Sequence, residues 1–195
     1  MPRSSSAVLV TIVPAGADRE ALVAAVAGAA DVDVAAVRTG RRCPHCGSRD
    51  HGRPWATADG RPVAVSVART PDSAAVAVVA GPDAPDAELG IDLEQVVRVA
   101  AAPLDAFGPH EAPRLRDDHD RTAAWAVKEA VLKRDGRGLR VDPLAVEVDL
   151  RRAVARFAGR EQPVTVVWPA PGTVLAVAAG GLPVVVDDRV SLPVG

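Results

Sequence analysis

Apolar residues recur along the chain in short runs of strand length, and two stretches show helical spacing instead. Residues 7–13 (AVLVTIV) are dominated by β-branched side chains and predict a first strand. Residues 19–30 follow as a helix almost featureless in charge, with Asp18 or a neighbour as its cap. Residues 31–37 and 38–54 read as irregular, the latter rich in Arg, Gly and Pro. Strands are predicted over 63–67 and 74–80, either side of the turn Thr70-Pro71-Asp72-Ser73. Residues 81–86 read as another turn, and 89–96 as a strand that gathers charge toward its end. Residues 102–106 predict a brief helical turn with Pro103 at its first position. Phe107 and Leu115 read as anchors, and 117–133 as the long helix, stopped by Gly136 and Gly138. Strands over 146–150, 153–157, 164–168 and 173–179 complete the pattern. The predicted class is α+β, with one principal helix and a small sheet in each of two units, 1–98 and 99–195.

Composition narrows the class of function. A chain of 195 residues can bury a real core, and 48% hydrophobic with 25% charged residues is ordinary for a soluble globular protein. The net charge of −2 argues against a general nucleic-acid binder. Aromatics make up only 3%, so Ala, Val and Leu must build the core and let helices and sheets approach closely. The apolar stretch 164–186 is interrupted by Pro169, Pro171, Gly172, Gly180, Gly181 and Pro183, which leaves no run of membrane length. The run 7–13 is short and β-branched for a secretory signal, so a cytoplasmic protein is expected. Cys43 and Cys46 stand in C-P-H-C beside His45 and His51, a beginning of a zinc site without a second cysteine pair to complete it. The favoured reading there is a polar turn in a reducing compartment.

Two stretches carry candidate chemistry. In residues 125–139, WAVKEAVLKRDGRGL, Ala123, Ala124, Val127, Ala130 and Val131 fall on one flank of the helix as a core stripe. Trp125, Lys128, Glu129, Leu132 and Lys133 are assigned to the other flank. A carboxylate between lysines on one face suits a metal–polyphosphate unit, and it equally suits a plain solvated edge with an i,i+4 pair. In Gly90-Ile91-Asp92-Leu93-Glu94, strand alternation turns Ile91 and Leu93 to the core and Asp92 and Glu94 together to the other face. Two hard carboxylates there suit Mg²⁺, or a solvated strand face. Asp31 and Asp33, at the same spacing, read as a turn with a cap.

Taken together, G-I-D-L-E, then W-A-V-K-E-A-V-L-K and G-R-G-L downstream, resemble the two signatures of the 4′-phosphopantetheinyl transferases, of the surfactin-activator (Sfp) type. The resemblance extends to C-P-H-C-G-S-R-D-H-G-R-P at 43–54 and to Phe107 and Glu111 in an F-x-x-x-E pattern. It implies two pseudo-symmetric α+β subdomains with the active site at their junction. It also implies a Mg²⁺-dependent enzyme that transfers 4′-phosphopantetheine from coenzyme A to a serine of an apo acyl or peptidyl carrier protein, releasing 3′,5′-ADP. Motif for motif, Asp92, Glu94 and Glu129 are the implied metal ligands. Glu129 and Lys133 are the implied catalytic residues, Lys128 and Lys133 contact phosphates, Trp125 shapes the site, and Arg53 stands near the nucleotide.

The chain departs from that pattern in its low aromatic content, which gives Trp125 few neighbours to stack with, and in the first half's S-H-S segment. Ala68-Arg69-Thr70 replaces the S-H-S segment, and Arg69 keeps a cation whose fork can grip a phosphate. The expected partners are coenzyme A and a carrier protein, with no nucleic acid and no membrane, for a monomer. The carrier is expected at 101–118, where Arg114 and Arg116 offer positive charge. A coenzyme A- or carrier-binding remnant without activity and a Mg²⁺-dependent nucleotide pyrophosphate hydrolase are the competing functions.

Overall fold

Valine-rich runs and a scarcity of large side chains produce several small sheets, each closed by a helix whose inward face is mostly alanine and valine. The computed structural model describes residues 5–81, 84 and 87–188. The chain divides into two units, one of Met1–Leu89 with Leu182–Gly195 and one of Gly90–Gly181. The protein is α+β, as its pattern predicts, and among the described residues its strands pair antiparallel except for one parallel pair.

In the first unit, β1 (Ala7–Pro14) is followed by α1 (Asp18–Ala30), β2 (Val37–Arg42), β3 (Arg53–Ala58), β4 (Arg61–Val63), β5 (Val65–Arg69) and β6 (Ser73–Ala80). β6 pairs with both β1 and β5, and the returning strand Val184–Asp188 adds itself parallel to β1. Leu22 and Val26 of α1 pack with Val65, Val67, Val76 and Val78 of this sheet and with Val37, Ala56 and Ala58 of the smaller one. The expected cap at Asp18 is not formed. Ala17 occupies the N-cap without a side-chain bond, and the Asp18 carboxylate is turned to Arg69 instead. Asp33 does cap a short turn, accepting from the Ala35 N–H at 2.8 Å.

Within the segment expected to be irregular, 43–52 is a loop as expected, while 38–42 and 53–54 belong to the two strands of a hairpin. β2 and β3 pair antiparallel from Val37 opposite Ala58 to Arg42 opposite Arg53, and β4 adds to β3. Glycine and arginine hid this strand from a propensity reading. Gly40 lies opposite Trp55, whose indole covers it so closely that a Cβ there would stand 2.8 Å from the ring. The aromatic ring supplies the side-chain surface that the glycine lacks. The turn expected over 81–86 falls mostly outside the described residues.

In the second unit, β7 (Gly90–Gln95) runs into α2 (Val96–Ala101), and the long α3 (Asp118–Asp135) follows. β8 (Glu147–Asp149), β9 (Val154–Phe157), β10 (Arg160–Pro163), β11 (Thr165–Ala170) and β12 (Thr173–Ala178) complete it. Its sheets run β11-β12-β7 and β10-β9-β8, antiparallel throughout. α3 lays Ala123, Ala124, Ala126, Val127, Ala130 and Val131 into a core with Val146, Val148, Ala155, Val174 and Ala176. Phe107 and Leu115, the expected anchors, pack against that core.

Three expectations change here. The helical turn forms at 96–101, not 102–106, because Pro103 disfavours helical backbone at the residue before it, and Ala102 is extended. β10 was hidden by its polar sequence REQP; its signal is the turn Ala158-Gly159, both at positive φ, as a two-residue hairpin requires. The division expected at 98 is drawn earlier: β7 pairs with β12, Asp92 opposite Ala176, so the acidic strand belongs to the second unit. No described helix is long and apolar enough to cross a membrane.

Candidate active site

The site grows from the packing of α3 on the edge strand β7. Asp117 caps α3 by accepting the Asp120 N–H, and Asp118 and Asp120 place negative charge in the first turn. Gly136, at φ +90°, ends the helix and donates its N–H to the Leu132 and Lys133 carbonyls. Between these limits the helix is held close to the strand by Gly90. A Cβ at that position would lie 2.0 Å from the Ala130 carbonyl oxygen and 2.4 Å from the Arg134 nitrogen.

That contact sets the alignment of the two elements. Gly90, Asp92 and Glu94 share one face of β7 by strand alternation, and that face looks onto α3. From Gly90 to Glu94 the strand advances about 13 Å. From Arg134 back to Trp125 the helix advances about the same distance. Asp92 therefore meets Lys133, and Glu94 meets Trp125. Lys133 Nζ donates to Asp92 Oδ1 at 2.5 Å and stands 3.6 Å from Glu129 Oε2. Trp125 Nε1 donates to Glu94 Oε1 at 3.2 Å. The sequence reading expected the carboxylate face of this strand to be open; α3 covers it, and Asp92 is buried with its Oδ2 lacking a hydrogen bond.

The charge balance of this cluster is negative. Three carboxylates share one lysine, and each carboxylate makes the next harder to ionise. Burial and then Asp92 push the Glu129 carboxyl up to about 7, against the pull of Lys133. Burial and Asp92 also raise Glu94, partly offset by the Trp125 hydrogen bond and by Lys133. For Lys133 burial works toward the neutral amine, but Asp92 and Glu129 outweigh it and the group is raised.

Asp92, Glu94 and Glu129 fit a hard divalent cation by donor chemistry. All are oxygen ligands, Asp92 keeps a buried oxygen without a partner, and the cluster is short of positive charge. The three oxygens are not drawn into one tight set: among the described residues the only trio of such ligand atoms within 4.8 Å of one another lies elsewhere. Lys133 instead bridges Asp92 and Glu129.

Lys128 requires a correction. The sequence reading set it on the flank of Trp125, Glu129 and Lys133, facing phosphates. Consecutive residues stand 100° apart on a helix, which turns Lys128 well away from the stripe of Trp125, Glu129 and Lys133. It is fully buried, with Nζ 2.8 Å from Glu111 Oε2, and it donates to the carbonyls of Pro143 and Val146. Burial lowers its pKa, and Glu111 opposes the shift. Leu132, placed on the same flank, is likewise buried.

Glu111 is thus a structural partner that its motif position marked without a role. It accepts from Lys128 and, at 3.0 Å, from the Val148 N–H, tying the segment before α3 to β8. Arg53 and Arg69 belong to the first unit. Arg53 is exposed at the start of β3, and Arg69, at the end of β5, forms an ion pair with Asp18. Arg116 is engaged with Asp120 at 2.8 Å.

The chain has no match among the curated proteins. Residues 88–168, the span that holds Asp92, Glu94, Glu111, Trp125, Lys128, Glu129 and Lys133, match the family model of the 4′-phosphopantetheinyl transferase superfamily.

Proposed function

We propose that this chain transfers the 4′-phosphopantetheine arm of coenzyme A to a serine of an apo acyl or peptidyl carrier protein, as an Sfp-type transferase. The observation that carries the proposal is the convergence of Asp92, Glu94, Glu129 and Lys133 between β7 and α3, inside the span matched to that superfamily.

In this reading Asp92, Glu94 and Glu129 hold Mg²⁺. When bound, the ion offsets negative charge on the pyrophosphate oxygens of coenzyme A. Lys133 lies against two of the same carboxylates and offers its ammonium to the departing 3′,5′-ADP, where charge grows as the bond to phosphorus breaks. Glu129, beside Lys133 on the same helix face, is proposed as the carboxylate that takes the proton of the attacking serine hydroxyl. The new ester forms at the β-phosphorus, the bond to the leaving phosphate oxygen breaks, and the proton ends on the carboxylate. Phosphoryl transfer asks for little more than in-line placement and charge compensation. Arg53 and Arg69 are proposed as cationic contacts for coenzyme A phosphates, with Arg69 exchanging Asp18 for the ligand.

The test is to incubate the protein with coenzyme A, Mg²⁺ and an apo carrier protein and to follow both carrier mass and 3′,5′-ADP. A carrier that gains one phosphopantetheine only with Mg²⁺ supports the transferase. Coenzyme A cleavage with an unmodified carrier marks a pyrophosphate hydrolase, and neither product marks a binding remnant; both results overturn the proposal.

A further inference from the structure

The loop between β2 and β3 holds chemistry that phosphopantetheine transfer does not use. Cys43 follows β2 directly. The Cys43-Pro44-His45-Cys46 turn closes when the Gly47 N–H donates to the Cys43 carbonyl and the Cys43 N–H donates to the Ser48 carbonyl, each at 2.9 Å. Gly52, at φ +103°, then folds the returning chain against the start of the turn. A Cβ at Gly52 would lie 2.5 Å from the Arg42 carbonyl oxygen and from Cys43 N and Cα. This close approach carries His51 back over the cysteines. Cys46 Sγ and His51 Nε2 are 3.4 Å apart, and the ligand atoms of Cys43, Cys46 and His51 all lie within 4.8 Å of one another.

These distances are close to those of a metal polyhedron. Tetrahedral zinc with Zn–S of about 2.3 Å and Zn–N of about 2.0 Å has ligand–ligand edges of roughly 3.5–3.8 Å. The Cys46–His51 edge is already of that size, and Cys43 needs to move by about an ångström or less to match. Two soft sulfurs with one imidazole favour zinc over the hard cations that suit the carboxylates of α3 and β7. The backbone N–H groups of Cys46 and His45 are directed at the Cys43 sulfur. Amides placed around that sulfur favour the thiolate, the form that binds metal.

We propose that Cys43, Cys46 and His51 form a Zn²⁺ site with water in the fourth position. On binding, any thiol proton still present is released to solvent and no electrons are exchanged. The ion closes the end of the β2–β3 hairpin, where Arg42 stands directly opposite Arg53 and like charges face each other across the strands. Zinc thereby fixes the loop that leads into Arg53. The site stands whether or not the transfer reading does, because its residues and its metal chemistry are separate from those of the carboxylate cluster.

The experiment uses the full chain purified under reducing conditions without chelator. Elemental analysis is expected to return one zinc per chain. After chelation, titration with Co²⁺ is expected to produce thiolate-to-cobalt charge-transfer absorption that one equivalent of Zn²⁺ abolishes. Cys43→Ser and Cys46→Ser are expected to lose both the zinc and the band, while His45→Ala, outside the trio, keeps them. Alkylation of the two thiols in the folded protein gives a second readout: bound zinc is expected to protect them and chelation to expose them. A reduced chain that takes up neither metal overturns the proposal. So does zinc content unchanged by either cysteine substitution, or thiols that react equally with and without zinc.

Discussion

Replacing Lys128 with methionine separates the structural role found here from a phosphate-binding one. Lys128 and Glu111 are 0% and 3% exposed at their side chains, so the pair is out of water. Methionine fills a similar volume, but it leaves the Glu111 carboxylate with the Val148 N–H as its remaining bond. It also withdraws the donor from the carbonyls of Pro143 and Val146. Breaking a buried pair from one side costs about 3–5 kcal/mol. An unpaired buried acceptor adds about 1 kcal/mol or more where water does not reach it. Lys128→Met is therefore expected to lose about 4 kcal/mol or more in urea unfolding, a large fraction of a typical domain's stability.

The double substitution Lys128→Met with Glu111→Met is expected to recover much of that loss, because it leaves no buried charge. What remains is the Val148 N–H without its acceptor and the Pro143 and Val146 carbonyls without the lysine donor, together on the order of 2 kcal/mol. Glu111→Met alone, which strands the Lys128 ammonium, is expected to cost about 3–5 kcal/mol as well, so the two single losses exceed the double loss by several kcal/mol in a double-mutant cycle. Coenzyme A affinity, measured on the folded fraction at low temperature, is expected to be unchanged in the single variant. A Lys128→Met protein of native stability with weakened coenzyme A binding would refute the reasoning and return this lysine to the phosphates.

Two further outcomes follow from the packing and charge of the site. Gly90→Ala is expected to unfold the second unit or destabilise it by several kcal/mol, seen as a fall in denaturation midpoint, because its Cβ meets helix backbone that cannot step aside; a native midpoint would show the contact is looser. For pH, Glu129 at about 7 in the folded chain against an ordinary 4.5 means that the native state keeps a proton the unfolded state releases between those values. Without metal, stability is therefore present below pH 4.5 and lost as pH rises through 7, by roughly 3 kcal/mol at most from this group. Mg²⁺ binds the ionised carboxylates, so its thermal shift is expected to be larger at pH 8 than at pH 5.5; equal shifts at both would contradict the assignment.

Much of this was legible in the residues, and the failures have physical causes. The glycine stop of α3 was readable because Gly136 performs local chemistry that needs no tertiary partner. The acidic motif and the Glu129–Lys133 spacing were readable for the same reason: strand and helix periods fix which side chains share a face. Lys128 defies the expectation that a lysine faces solvent: its angular position points inward, and Glu111, 17 residues upstream, supplies the counter-charge. The β2–β3 hairpin escaped because its stabilising contact, Trp55 over Gly40, is across the sheet and not along the chain. The first unit's last strand escaped because its pairing with β1 joins positions near opposite ends of the chain. The cysteine loop was readable as ligand types, but only the fold over Gly52 shows that His51, and not merely the C-x-x-C pair, comes within reach.

The most direct test of the carboxylate site is the mass of an apo carrier protein after incubation with coenzyme A, Mg²⁺ and either the native chain or its Glu129→Gln variant, with circular dichroism confirming that both are folded. The account expects a gain of one phosphopantetheine with the native chain, abolished by chelating Mg²⁺, and a rate at least about a hundredfold lower with the variant. Equal modification by both proteins, or modification that persists without Mg²⁺, would contradict it.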